Sequence, residues 1–158
     1  MMKNLLILLF IPILSYSQIS YEDVMSIKSV DIFKKVMIEN GYEFDSSDTD
    51  GILSYGYNVT NDSQSSRWMY YNTNDDWFIM YFLRTNWVTN LYDPKLESSK
   101  NNYDSIVKDI QEKCKYYKIL NWRGIDFVTY SCPESSYKGK IGFAISDGSG
   151  HIQHFPND

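Results

Sequence analysis

The residues that could do chemistry in this 158-residue chain are few: two histidines, two cysteines and one acid-rich loop. His151 and His154 lie three apart on a predicted strand, so they point to opposite faces and are poorly placed to chelate one metal. The loop Asp45-Ser46-Ser47-Asp48-Thr49-Asp50-Gly51 has the acid content of a calcium loop. An EF-hand frame ending on Gly51 would start at Ser46, however, and place Tyr57 where the bidentate Glu belongs, which leaves a solvated turn. Asp75 and Asp76 are adjacent at a hairpin tip. The sequence holds no nucleophile elbow, phosphate-binding glycine loop or zinc-protease helix. A pair of carboxylates that meets only in space would leave no linear motif, so an enzyme of that kind stays open. The expectation is no catalytic residue, no metal and no cofactor.

Cys114 and Cys132 read as a staple. They bracket KYYKILNWRGIDFVTYS, two β-rich runs around Asn121-Trp122-Arg123-Gly124. If Leu120 faces Ile125, the strands return so that Cys114 meets Cys132 at the open end of a hairpin. A disulfide requires an oxidising compartment, and the start of the chain points to one. MMKNLLILLF, continued through Leu14, carries one lysine, an apolar run too short to span a bilayer, and then Ser15-Tyr16-Ser17. Residues 1–17 thus read as a signal peptide cleaved near Ser17/Gln18, with the remainder periplasmic or secreted and without a membrane span. The formal charge of −5 argues against a nucleic-acid partner, because phosphate binding needs a positive field. The Asn58 and Asn61 sequons are discounted, since the composition and short signal read as bacterial.

These groups must be positioned by helices and strands. Ser20 opens a short helix, and Ser29 caps a stronger one that stops at Gly41. Another amphipathic helix runs from about Asn102 to Cys114, with Tyr103, Ile106, Val107 and Ile110 on one face. After the first strong helix come Tyr42–Phe44, Ile52–Val59, Arg67–Thr73 and Trp77–Arg84. After the second come Tyr116–Leu120, Ile125–Ser131, Lys140–Ser146 and Ile152–Phe155. Asp31, Lys35 and Glu39 align with Asp104, Lys108 and Glu112, so the chain reads as an internal repeat. Its parts are a first αββββ half at 18–86, a linker at 87–101 and a second half at 102–158, in one compact domain. The expected class is α+β: tandem helix-plus-four-strand repeats forming an antiparallel sheet with helices on one face. A single cystatin-like wrap is the fallback.

In the hairpin around Asn74-Asp75, Tyr71 should pair with Phe78, Met69 with Met80 and Arg67 with Phe82. Met69, Met80, Tyr71, Phe78 and Phe82 then face the core, leaving Trp68, Tyr70, Trp77, Ile79 and Tyr81 on the far side. Trp and Tyr offer rigid contact area with a polar handle, so these five are the candidate partner-binding residues. Their counterparts in the second half, Gly142, Ala144, His151 and Gln153, are small or polar, so the outer surface should be lopsided. The linker or a second copy in a homodimer could equally cover the aromatic end.

The strings YEDVMSI, FKKVMIENGYEF, CKYYKI, YSCPES, YKGKIGF and HFPN together resemble a group of small secreted bacterial proteins of unknown function. That resemblance implies export but carries over no chemistry and no site residue. The layout is similar, by architecture only, to the beta-lactamase inhibitor protein fold, in which an aromatic-rich sheet surface clamps an enzyme. The functional expectation is an exported, soluble, non-catalytic binding module that contacts an extracytoplasmic protein, as an inhibitor or immunity-like protein would. The alternatives are an envelope-polymer hydrolase of unrecognised type and a self-associating structural envelope protein.

Overall fold

The computed structural model describes residues 18–59, 65–84 and 94–155; the expected signal peptide lies outside them. Three helices, α1 (Tyr21–Ser26), α2 (Val30–Glu39) and α3 (Pro94–Lys113), accompany strands β1 (Tyr42–Ser47), β2 (Ile52–Tyr57), β3 (Arg67–Asn72) and β4 (Trp77–Leu83). Strands β5 (Lys115–Trp122), β6 (Ile125–Ser131), β7 (Lys140–Ser146) and β8 (Ser149–Phe155) complete an antiparallel sheet of order β1-β2-β3-β4-β8-β7-β6-β5. Two meanders are therefore joined through their last strands, and the class is α+β.

Local chemistry starts each helix. Ser20 and Asp23 form a capping box on α1, and the Ser29 hydroxyl accepts from the Ile32 amide at the start of α2. Helix α3 begins at Pro94, well before Asn102, so 94–101 of the stretch read as linker is helical. Pro94 occupies a first-turn position that needs no amide donor, and Glu97 favours the positive end of the helix. Ser98 and Ser99 read as loop residues but act as small contacts. Ser99 Oγ donates to the Ser66 carbonyl at 2.9 Å, and Arg67 Nη2 donates to Ser98 Oγ at 2.6 Å.

The helices cover the middle of one face of the sheet. Phe33 of α2 sits among Tyr55, Tyr71 and Phe78, with ring centroids 5.5, 5.1 and 6.3 Å away. Tyr103 of α3 lies 5.8 Å from Phe82, and its hydroxyl donates to the Ala144 carbonyl at 2.8 Å. Met69, Met80 and Phe82 are each 0% exposed here. The β3–β4 register is the expected one: Met69 opposes Met80, Tyr71 opposes Phe78 and Trp68 opposes Tyr81. The connection is wider than two residues, because Asn72 Oδ1 accepts from the amides of both Asn74 and Asp75 and Asp76 turns left-handed, φ 50°. Arg123-Gly124 and Asp147-Gly148, all with positive φ, make the tight turns of β5–β6 and β7–β8. A Cys114–Cys132 disulfide, Cα atoms 4.5 Å apart, ties the open end of the β5–β6 hairpin beside the Lys115–Ser131 pair. No helix among the described residues is long and apolar enough to cross a membrane.

Candidate binding groove

The face away from the helices is not flat. Each strand adds right-handed twist, so diagonal corners of a wide sheet rise toward each other on one side. Strands β8, β7 and β6 lie between β4 and β5, which a flat sheet would separate by about 19 Å. Yet the rings of Trp77 on β4 and Trp122 on β5 are 5.5 Å apart at 68°. The β5–β6 turn thus folds over the middle of the sheet and makes this side concave.

Under the fold-over, the sheet supplies a second small core. Ile79, Phe127, Ala144 and Phe155 are buried together, with Tyr70, Trp77, Tyr81, Leu120, Trp122 and Ile125 packed around them. Phe127 lies 5.4 Å from Phe155 and 6.4 Å from His151. Gly142 makes this closure possible: a Cβ there would stand 2.7 Å from Phe155 Cε2 and 2.9 Å from Thr129 Cγ2. The lopsided outer surface expected for the second half is therefore corrected in one respect. Gly142, Ala144, His151 and Gln153 are not an open small-residue surface but are buried under rings from β5, β6 and β8.

Among the described residues the concave side stays open in the first half; residues 87–93 of the stretch read as linker lie outside them. Tyr70, Trp77, Ile79 and Tyr81 line a cleft of about 200 Å³ with Ile52, Trp122 and Arg123. Trp68 lines the adjoining hollow of about 340 Å³ with Asp45, Ser46, Asp48, Ile52, Ser54 and Tyr70. Ile52 and Tyr70 belong to both, so the two form one groove. All the aromatic residues expected on this side, Trp68, Tyr70, Trp77 and Tyr81, line it half-buried, whereas Ile79 is 2% exposed and forms floor rather than contact surface. Trp68 lies over Gly56, where a Cβ would come within 2.9 Å of its ring, and stacks on Tyr70 at 6.4 Å. Tyr70 meets Tyr81 edge-on at 5.5 Å, and Tyr81 meets His151 at 4.6 Å.

The groove's electrostatics run from acid to base. Asp45 and Asp48 stand at the β1 end. At the other end the Arg123 guanidinium lies 4.5 Å from the Trp122 ring centre and 5.5 Å from that of Trp77. Arg123 holds φ 50° in a position that asparagine, aspartate or glycine fills more easily, so its placement carries backbone strain. Burial pushes the Tyr70 hydroxyl above its ordinary pKa, with the neighbouring Tyr81 and the charge of Asp45 adding to the shift. Burial raises Tyr81 as well, against the opposing charge of Arg123. Both phenols stay protonated at neutral pH and can donate hydrogen bonds. Burial lowers the pKa of His151, whose Nε2 is 3.4 Å from the Ser146 carbonyl oxygen.

Other candidate chemistry is placed elsewhere. Asp48 Oδ1 accepts from the Asp50 and Ile52 amides at 3.0 and 2.8 Å, so its carboxylate shapes the turn. His154 points to the helix side, stacked 3.7 Å from Tyr137 and edge-on to Phe78 at 4.4 Å, which separates it from His151 by the thickness of the sheet. Among the described residues, no three of His, Cys, Asp and Glu gather as a metal site. Sequence reasoning missed Trp122 and Arg123, whose part in the groove depends on accumulated twist and not on a local pattern. No protein-family model, curated protein or solved structure matches the chain, so the groove's own geometry is the ground for any functional reading.

Proposed function

We propose that the protein is an exported, non-catalytic binding module that takes another extracytoplasmic protein on its concave aromatic groove, in the manner of an inhibitor or an immunity protein. The observation that carries this reading is the concentration of half-buried Trp68, Tyr70, Trp77, Tyr81 and Trp122 along one open groove. Such rings are prearranged by their mutual packing, so a partner would bury them with little loss of side-chain freedom. Asp45 at one end and Arg123 at the other would fix the partner's orientation. Export is supported by the N-terminal apolar segment and by the Cys114–Cys132 bridge, which belongs to an oxidising compartment. Among the described residues, the acids lining the groove, Asp45 and Asp48, come from one side of it, an arrangement that favours binding over a hydrolase with flanking carboxylates.

The test is affinity capture from the native host's envelope and medium, followed by calorimetry with the purified captured protein. Trp68→Ala/Trp77→Ala serves as the groove variant. We expect the wild type to retain a partner and the double variant to bind it about 100-fold or more weakly, because central aromatic residues commonly contribute about 2 kcal/mol each. Equal affinity for wild type and variant would overturn the groove as the binding site.

A further inference from the structure

The sheet ends in strands of opposite character. We infer that β1 of one molecule pairs with β5 of another, so that the protein assembles head to tail through its sheet edges. This inference does not depend on the groove reading.

Among the described residues, strands β1 and β5 end the sheet order, and each leaves one row of backbone groups without a neighbouring strand in it. Such an edge is a template for another strand unless something blocks it. Both edges also leave large apolar side chains exposed: Phe44 on β1 is 56% exposed, and Tyr116 and Ile119 on β5 are each 60% exposed. All lie on the helix side. Phe44 opposes Tyr55, which packs on Phe33, while Ile119 opposes Val128 in the row that continues to Phe143 and Ile152.

On the groove side the edges are charged, with opposite signs. Strand β1 presents Glu43 and Asp45, and β5 presents Lys115 and Lys118. Two β5 edges repel one another, as do two β1 edges, which leaves β1 with β5 as the complementary combination. The registers agree with this. With Phe44 set beside Ile119, antiparallel pairing puts Asp45 opposite Lys118, and parallel pairing puts Glu43 opposite it. The apolar pair and the charged pair then form on their proper faces together. Local bulges at Phe44/Ser46 and Tyr116/Lys118 limit how many ladder bonds can form. The contact should accordingly be weak and reversible. Because the two surfaces differ, the assembly is heterologous and grows as open chains unless its rotation closes a ring.

Sedimentation velocity over micromolar to millimolar protein tests this with two charge-reversed proteins, Glu43→Lys/Asp45→Lys and Lys115→Glu/Lys118→Glu. All four positions are exposed, so both proteins should fold, and circular dichroism checks this. The wild type should grow in mass with concentration, less so in high salt. Each variant alone should assemble about tenfold or more weakly. An equimolar mixture should recover assembly, because the basic β1 of one meets the acidic β5 of the other. Ile119→Lys should weaken assembly without touching either acid. A wild type that stays monomeric throughout, variants that assemble as the wild type does, or a mixture that stays as weak as its components would each overturn the inference.

Discussion

His154 and His151 sit three residues apart on β8, one on each side of the sheet, and their surroundings show how differently the two sides are closed. On the helix side His154 meets Phe78 of β4 edge-on and is stacked by Tyr137, a ring supplied from outside the sheet by the β6–β7 connection. On the groove side His151 is covered by Tyr81 and Phe127, residues of the sheet itself. Helices are laid on their face from outside and cover its middle, leaving Phe44, Tyr116 and Ile119 exposed at the edges. A sheet that covers itself by twisting closes only where its corner arrives. The second half is therefore sealed and the first half left as a groove. Openness on this side is a consequence of geometry, and the aromatic residues occupy the part that geometry leaves open.

The largest test of this contrast is on the helix side. Phe33 is 0% exposed and touches rings from three strands. Phe33→Ala should cost about 3–5 kcal/mol by removing burial and leaving a cavity that the sheet cannot collapse into. Urea unfolding measures this, and a loss under about 1 kcal/mol would mean that α2 is not a structural lid.

The histidines give the next test, through pH. Burial lowers His154 to about 3, against about 6.5 in the unfolded chain. Between those values the unfolded state binds a proton that the folded state refuses. The stability associated with neutral His154 is therefore fully present above pH 6.5 and is lost as pH falls toward 3, by about 1.4 kcal/mol per pH unit. His154→Phe keeps the ring stacking and should remove that slope. The denaturation midpoint at pH 4 relative to pH 7 should fall less in the variant than in the wild type. An identical fall in both would show that His154 can charge in place, and that the helix side is more open than its packing indicates.

How much of this was legible in the sequence follows from the range of each interaction. The β3–β4 register was legible because alternation of Met69, Tyr71, Phe78 and Met80 against Trp68, Tyr70, Ile79 and Tyr81 is a period-two signal within one hairpin. The disulfide was legible from a hairpin read around Asn121–Gly124, but the register of that hairpin was not. Leu120 opposes Phe127 instead of Ile125, Trp122 opposes Ile125, and the turn is Arg123-Gly124, with Cys114 still brought to Cys132 at the open end. The first turns of α3 were hidden because Ser98, Ser99 and Asn101 have loop-like propensities. The docking of Ser98 on Arg67 and of Ser99 on Ser66, which joins Pro94 and Glu97 in favouring helix there, is a tertiary contact. The burial of Gly142 and Gln153 was hidden for a different reason. Their cover comes from Phe127 and Phe155, diagonal neighbours two residues along from Thr129 and Gln153, the partners of Gly142 on β6 and β8. Pairing of β6 with β7 and of β7 with β8 must be known before that contact can be read. The groove was therefore half legible: its floor and first wall were read from β3 and β4, but its second wall, Trp122 and Arg123, was not.

The smallest expected effect sharpens the comparison most. Trp68 has a ring as large as any in the protein, yet it lies on the open half of the groove side, over Gly56 and against Tyr70. If this region is an open surface, Trp68→Ala should cost under about 1 kcal/mol, within the range of changes outside a packed core. Trp122→Ala provides the contrast, since that ring contacts both Trp77 and Phe127 at the folded-over corner. Its removal should cost more than the loss of Trp68 and should uncover the second-half floor. Urea midpoints of the two variants, read beside iodide quenching of the remaining tryptophans, compare them directly. A Trp68→Ala loss equal to that of Trp122→Ala would place Trp68 in a core, and the groove would then be shorter than the row of rings suggests. A small loss for Trp68 with a larger one for Trp122 would mean that one ring holds the sheet's curl while the other is held ready by it.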